Sequence, residues 1–96
     1  MVHNLSMKPK RIKDPMLLNS MRGDPCIICN QPGISHHVKS VGSGGHDIES
    51  NLVSLCGYHH NEIHLIGRVS FCRKYEKFFD WCQDNGHFSI IDKINL

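Results

Sequence analysis

Two close pairs of metal-binding residues constrain the fold of this chain more than any other feature. The first pair is Cys26 and Cys29, and the second is Cys56 and His59. Zinc takes four soft ligands tetrahedrally and usually receives them as two such pairs that the fold brings together. The first pair lies among turn formers, in the stretch D-P-C-I-I-C-N-Q-P-G, which is typical of a metal-binding knuckle. These four residues are therefore predicted to bind a structural Zn²⁺; the alternative is that the cysteines are small buried apolar residues.

The chain has 96 residues, which indicates one domain that buries only about 60–65% of the surface exposed by its unfolded chain. A domain with so small a core needs a staple. An odd number of cysteines, five, beside eight histidines favours metal ligation over disulfides. No secretory signal and no stretch of membrane-spanning length is present, so we expect a cytoplasmic protein without membrane contact. Cys72 and Cys82 have no comparable partner spacing and are expected to be buried apolar residues.

Residues 1–13 lack apolar periodicity and are predicted to form a basic, flexible arm ahead of a single domain that spans residues 14–96. Four cations precede the first acidic residue of the chain: Lys8, Lys10, Arg11 and Lys13. A cluster of this kind is either a phosphate contact or a solvated tail.

Local patterns predict the elements of the domain. They are a helix that starts at Pro15 after an Asp14 cap and stops near Gly23, strands over residues 34–41 and 51–56, and helices over residues 57–66 and about 70–85. Ser70 is expected to cap the last helix. Its apolar stripe is expected to be core: Phe71, Tyr75, Phe78, Phe79 and Cys82. Residues 88–96 fit either a strand or a docked tail.

The histidines of the predicted helix 57–66 point to two different faces. At about 100° per residue, His59 points toward the core side of the helix. His60 and His64, at i and i+4, lie about 40° apart on a separate face. Such a pair is a good clamp for a metal ion, although a lone pair on a surface helix is often accidental. His36, on the first predicted strand, would supply a third imidazole to the same ion.

His37 follows His36 on that strand, and neighbouring strand side chains project to opposite faces. If His36 binds the ion, His37 lies across a phosphate that the ion holds. Phosphodiester hydrolysis needs a water activated on one side of phosphorus and a leaving oxygen stabilised on the other. This placement predicts His37 as a general base, a role that contributes about 10²–10⁴-fold, with the ion polarising the phosphate and neutralising the leaving 3′ oxygen.

The stretch C-I-I-C followed by H-H-V-K-S-V-G-S-G-G-H-D-I-E-S-N-L-V-S-L-C-G-Y-H-H-N-E-I-H resembles the HNH endonucleases, most of all the small zinc-stapled versions of phages and prophages. The resemblance covers residues 26–67. It implies an α+β fold, namely a zinc-stapled ββα-metal (His-Me finger) domain with flanking helices. If the chain is phage-encoded, it would work in the host cytoplasm.

The resemblance also implies roles for individual residues. His37 would be the first H and the general base, Asn51 the N, and His60 the second H and a metal ligand. In the family the asparagine braces the long hairpin loop or, in some members, binds the metal, so its role here stays open. His36 stands where many members have an aspartate ligand; the colicin-type nucleases have histidine there, and His64 matches their further helical ligand.

Four other residues are weaker candidates. Lys39 and Arg68 would bind the nucleic-acid backbone, or they are ordinary surface cations. His46 and Asp47 would touch the nucleic acid or brace His37; the simpler interpretation is that both are loop residues without a role.

The resulting hypothesis is a metal-dependent endonuclease that nicks DNA, leaves 5′-phosphate and 3′-hydroxyl ends, and acts as a monomer or homodimer. The alternative is a non-catalytic zinc module that binds nucleic acid or protein, and a third possibility is a scaffold with two structural zincs. A binding module has no need for the second set of polar residues together: His36, His37, Asn51, His60 and His64. Their joint presence favours the enzyme.

An ion site made only of imidazoles favours Mn²⁺, Co²⁺, Ni²⁺ or Zn²⁺ over Mg²⁺, which prefers oxygen ligands. We therefore expect DNA nicking, assayed with each ion in turn, to be weaker with Mg²⁺ than with Mn²⁺ or Ni²⁺. An assay in which Mg²⁺ is clearly the best ion would contradict the assignment of His36, His60 and His64 as ligands.

Overall fold

The computed structural model describes residues 10–94 of the chain. Its helices are α1 (Pro15–Ser20), α2 (Gly57–Ile66), α3 (Arg68–Lys74), α4 (Glu76–Asp84) and α5 (Phe88–Ile94), and its strands are β1 (Ile34–His37) and β2 (Leu52–Leu55). Two single 3₁₀ turns, Val41–Ser43 and Glu49–Asn51, lie in the connection between the strands. The α+β class predicted from the sequence is confirmed. None of the helices in this range is long and apolar enough to cross a membrane.

The two strands form an antiparallel hairpin in which His36 lies opposite Val53 and His37 lies opposite Leu52. Because successive side chains of a strand point to opposite faces of the sheet, the two histidines project to opposite faces. β1 stops at His37, earlier than the predicted residue 41, because Ser40 caps the 3₁₀ turn that follows. α2 begins one residue after β2, and the ββα unit is complete there.

The two helices with clear sequence caps begin where they were predicted, although α1 ends at Ser20, ahead of the predicted end near Gly23. The Asp14 side chain accepts a hydrogen bond from the Leu17 N–H at 3.0 Å, and Pro15 occupies the first helical position of α1. α2 ends at Gly67, whose φ of 86° is costly for any other residue.

The single helix predicted for residues 70–85 is wrong, because the chain breaks at Tyr75 into α3 and α4. Tyr75 has extended backbone angles, its hydroxyl donates to Glu62 Oε1 of α2 at 2.6 Å, and its ring packs edge-on against His59. The sequence around Tyr75 contains no glycine or proline that would predict a helix break. The break coincides instead with the contacts that Tyr75 makes to α2. α3 also starts before Ser70, directly after Gly67.

The carboxy-terminal segment, predicted as a strand or a docked tail, is the helix α5 as far as the structure describes it. Ile90 and Ile91 of α5 are buried in the core. Residues 95–96 lie outside the described residues.

The core lies between the hairpin, α2 and the three carboxy-terminal helices. Its largest side chains, Phe71 and Phe78, are 0% exposed and meet edge-to-face with ring centroids 5.1 Å apart. Burial of each ring is worth about 1.5–3 kcal/mol. Cys72 and Cys82 are buried as expected, and Cys82 belongs to the predicted apolar stripe. Tyr75 and Phe79 of that stripe are partly buried against the same cluster.

The predicted basic arm lies partly outside the described residues, since residues 1–9, including Lys8, are among those not described. The part that is described, residues 10–13, is hydrogen bonded to the loop between the strands. The Ile12 N–H donates to His46 Nδ1 at 2.8 Å, and the Asp47 N–H donates to the Ile12 carbonyl at 2.9 Å. This segment therefore lies against the loop that follows His37.

Candidate metal centres and catalytic site

The four residues predicted to bind zinc come together in the structure. The ligand atoms of Cys26, Cys29, Cys56 and His59 all lie within 4.8 Å of one another. Cys26 Sγ is 3.6 Å from His59 Nδ1, Cys29 Sγ is 3.6 Å from Cys56 Sγ, and Cys56 Sγ is 3.2 Å from His59 Nδ1. With Zn–S bonds of about 2.3 Å, a tetrahedral site has sulfur–sulfur edges of about 3.8 Å. The cluster fits a structural zinc.

Local structure prepares this cluster for a metal. Cys26 and Cys29 come from the turn before β1, whereas Cys56 and His59 come from the N-cap and first turn of α2. Burial raises the pKa of the Cys26 thiol, but backbone hydrogen bonds from Cys56, Cys29 and Ile28 outweigh it and lower that pKa to about 6. Since the thiolate is the form that binds metals, the turn favours ligation.

A second cluster consists of three imidazoles. The ligand atoms of His36, His60 and His64 lie within 4.8 Å of one another, and their ring centroids are 5.0, 5.2 and 4.6 Å apart. His36 is buried on β1, His60 is half-buried and His64 is exposed, so the cluster opens toward solvent. An ion held there by three residues could also bind a substrate, whereas the four residues of the cysteine cluster would complete the tetrahedral coordination of a structural zinc.

The surroundings keep these imidazoles able to bind a metal. Burial, followed by the neighbouring His60 and His64, lowers the pKa of His36 to about 4. Burial and the adjacent His64 also lower the pKa of His60. Only a neutral imidazole has a lone pair for a metal, so protons compete little for these two rings near neutral pH.

His37 lies outside the three-imidazole cluster and is paired with a carboxylate. Its Nε2 is 2.7 Å from Asp47 Oδ1. The His37 side chain is 21% exposed, whereas the Asp47 side chain is 3% exposed. A carboxylate can only accept, so His37 Nε2 carries the proton and donates it to Asp47. In the neutral ring Nδ1 is then the atom that can take up a proton.

The sequence argument undervalued Asp47, which is buried at the centre of a hydrogen-bond network. Besides His37, it accepts hydrogen bonds from Arg11 Nη1 at 2.6 Å and from the Asp14 N–H at 2.8 Å. The hydrogen bonds from His37, Asp14 and Arg11 hold the pKa of Asp47 well below its usual range. The sequence around Asp47 contains no spacing pattern that predicts these contacts, because the residues that bind its carboxylate are not its neighbours along the chain.

Asn51 braces the loop between the strands. Its Oδ1 accepts from the Lys39 N–H at 2.7 Å, and its Nδ2 donates to the carbonyls of Lys39 and His46, both at 3.0 Å. Of the two roles that the resemblance left open, this geometry supports bracing. Gly45 allows the close fit, since a Cβ there would lie 1.8 Å from the Lys39 carbonyl oxygen.

Arg68 and Lys39 lie in different positions relative to the histidines. Arg68 Nη1 donates to the Val38 carbonyl at 2.8 Å, and its side chain lines a cleft of about 260 Å³ together with His36, His37 and His64. Lys39 lines a second cleft, of about 560 Å³, that Arg68 also borders. Arg68 is thus the cation that lies beside the histidines.

Comparison with known proteins gives one match. The model of a family described as "Putative HNHc nuclease" matches residues 8–93. The matched range includes both metal clusters, His37 and Asp47, and it continues through α3, α4 and most of α5. No curated protein and no solved structure matches the chain significantly.

We expect the purified chain to retain one zinc after dialysis against a weak chelator, and Cys56→Ser to lose both this zinc and the folded circular-dichroism spectrum, because the cluster staples a small core. Cys72→Ala is the matched control: it removes a buried thiol outside the cluster and should keep the zinc. Equal zinc in Cys56→Ser and the unaltered chain would contradict the cluster, and two zincs that resist exchange would favour the two-zinc scaffold.

Proposed function

The chain belongs to the HNH nuclease family, and from this premise we propose that it is a metal-dependent endonuclease that hydrolyses phosphodiester bonds of DNA. One observation carries the proposal: His36 and His64 of the three-imidazole cluster line the same cleft as Arg68 and as His37, the partner of Asp47. A zinc module that only binds nucleic acid or protein would have no use for a second, solvent-open metal cluster next to an oriented imidazole.

His37 is the proposed general base. Because its Nε2–H is held by Asp47, Nδ1 is the atom that removes a proton from the attacking water. Asp47 is a positioning residue, since it acts on the reaction only through His37. Its carboxylate keeps the ring in one tautomer and one orientation, and it stabilises the imidazolium that forms when the proton arrives.

His36, His60 and His64 would hold the catalytic divalent ion, which is Mn²⁺, Ni²⁺, Co²⁺, Zn²⁺ or Mg²⁺. When bound, this ion polarises the phosphate and stabilises the leaving 3′ oxygen. Arg68 lies beside the cluster and would bind a non-bridging oxygen of the same phosphate. Because the bond between phosphorus and the 3′ oxygen is the one that breaks, the products carry a 5′-phosphate and a 3′-hydroxyl.

Two further features follow from the arrangement. Each chain has a single proposed catalytic site, so a monomer nicks one strand, and a double-strand cut needs a homodimer or two separate events. The five cysteines at positions 26, 29, 56, 72 and 82 are free thiols. Free thiols and a thiolate zinc cluster suit a reducing compartment, and we therefore propose that the enzyme works in the cytoplasm.

Plasmid nicking with Mn²⁺ tests the proposal. His37→Ala should retain zinc and fold but nick about 10²–10⁴-fold more slowly, which is the usual contribution of a general base. Lys77→Ala, which removes an exposed cation of α4, is the control for handling and purity and should nick like the unaltered protein. If His37→Ala cleaves as fast as the unaltered protein, either the base is misassigned or a contaminant cleaves the DNA.

Asp47→Asn tests the positioning role. We expect kcat to fall by about 10–100-fold with KM and zinc content little changed, and ¹⁵N NMR should show that His37 no longer prefers the Nε2–H tautomer. A purely structural role would leave the tautomer intact.

The double variant sharpens this test. If Asp47 acts through His37, adding Asp47→Asn to His37→Ala should cause no further loss of activity. A full additional loss in the double variant would show that Asp47 works independently of His37.

A further inference from the structure

A second cleft adjoins the proposed catalytic cleft and has no part in the mechanism above. It has a volume of about 560 Å³ and lies between the loop that follows β1 and the turn that joins α4 to α5. The residues that matter here are Lys39, Ser43, His46, Arg68, His87 and Phe88. Arg68 borders both clefts, so the two clefts are adjacent.

The charge of the second cleft suits an anion. Lys39 and Arg68 are exposed there, and no aspartate or glutamate is among its lining residues. His46 accepts the Ile12 N–H through Nδ1, so its neutral ring carries the proton on Nε2 and keeps a donor. Within residues 10–94, the lining thus provides two cations and a further N–H donor, and it includes no carboxylate.

The wall of this cleft is held in place before any ligand arrives. His87 Nε2 donates to the Ser50 carbonyl at 2.6 Å, which ties the α4–α5 turn to the 3₁₀ turn Glu49–Asn51. The His87 ring also stacks on Trp81, with ring centroids 5.2 Å apart and planes inclined by 17°. A wall fixed in this way loses little conformational freedom when it binds a ligand.

Phe88 gives the cleft an aromatic surface. Its side chain is 57% exposed, although Ile90 and Ile91 of the same helix are buried. The ring thus contributes little to the core, and it lines the same cleft as Lys39 and Arg68. Aromatic rings beside cations are how proteins bind unpaired bases, since every base has a face that stacks.

We propose that this cleft binds an unpaired nucleotide next to the scissile phosphate, with its base on Phe88 and its own phosphate on Lys39, while Arg68, between the two clefts, binds the scissile phosphate. A base within a duplex is stacked on its neighbours and would have to leave the helix to reach Phe88. The substrate class is therefore single-stranded DNA or an unpaired segment at a junction. This inference rests on the proposed function of the adjacent site.

Binding is measured separately from cleavage, by fluorescence anisotropy with zinc-loaded His37→Ala protein. The probes are a labelled oligothymidine and a labelled duplex of equal length. We expect the single strand to bind more tightly than the duplex. In this background Phe88→Ala should weaken binding to the single strand about 5- to 150-fold, the range for losing one base–aromatic stack, and Phe88→Trp should restore it.

The salt dependence of the binding affinity distinguishes the phosphate contact of Lys39 from the base stacking on Phe88. Lys39→Ala should reduce the slope of log affinity against log salt by about 0.7, the value for one phosphate contact to a single strand, whereas Phe88→Ala should leave the slope unchanged. Leu65→Ala, which removes an exposed apolar side chain from the outer face of α2, is the matched control and should bind like its parent.

The proposal is overturned if Phe88→Ala binds the single strand as tightly as its parent. It is also overturned if the single strand and the duplex bind equally well and Phe88→Ala weakens both to the same extent. Phe88-dependent binding in a protein that never nicks DNA would support this cleft and refute the nuclease mechanism. The two proposals therefore fail by different observations.

Discussion

The position of α2 depends on the cysteine cluster at its start. His59 is one of the four residues of this cluster, and His60 is the next residue on the same helix, so a zinc bound by His59 would also set the direction of His60. His64, one turn later, follows with it, and both meet His36 on β1. In a domain with so small a core, packing alone would hold this geometry loosely. In the proposed mechanism, a zinc that takes no part in the reaction would thus position the ligands of the catalytic ion.

A second constraint acts on the opposite side of the hairpin, at the Asp47 carboxylate. It accepts from Arg11, from His37 and from the Asp14 amide, and it therefore joins the segment before α1, the loop and β1 at one point. The side chain of Asn51 holds the same loop by hydrogen bonds to the loop backbone. Because a buried carboxylate needs such partners, each contact that satisfies Asp47 also orients the proposed base.

The sequence allowed prediction of those features whose partners are close along the chain. Both ends of α2 and the division of its histidines between two clusters follow from helical spacing and one glycine. The helix break at Tyr75 and the role of Asp47 did not follow, since their partners, such as Glu62 and Arg11, are distant in sequence. The helical state of α5 was equally open, because seven residues carry too short a pattern to separate helix from strand.

The central claim is that one fold holds two metals with different tasks. Anomalous diffraction from a crystal of the zinc-purified protein, soaked in Mn²⁺ and recorded at the zinc and manganese edges, tests it most directly. The account predicts a zinc signal among Cys26, Cys29, Cys56 and His59 and a manganese signal among His36, His60 and His64. A manganese map without a peak at the three imidazoles, or zinc that stays at both clusters after the soak, would contradict it.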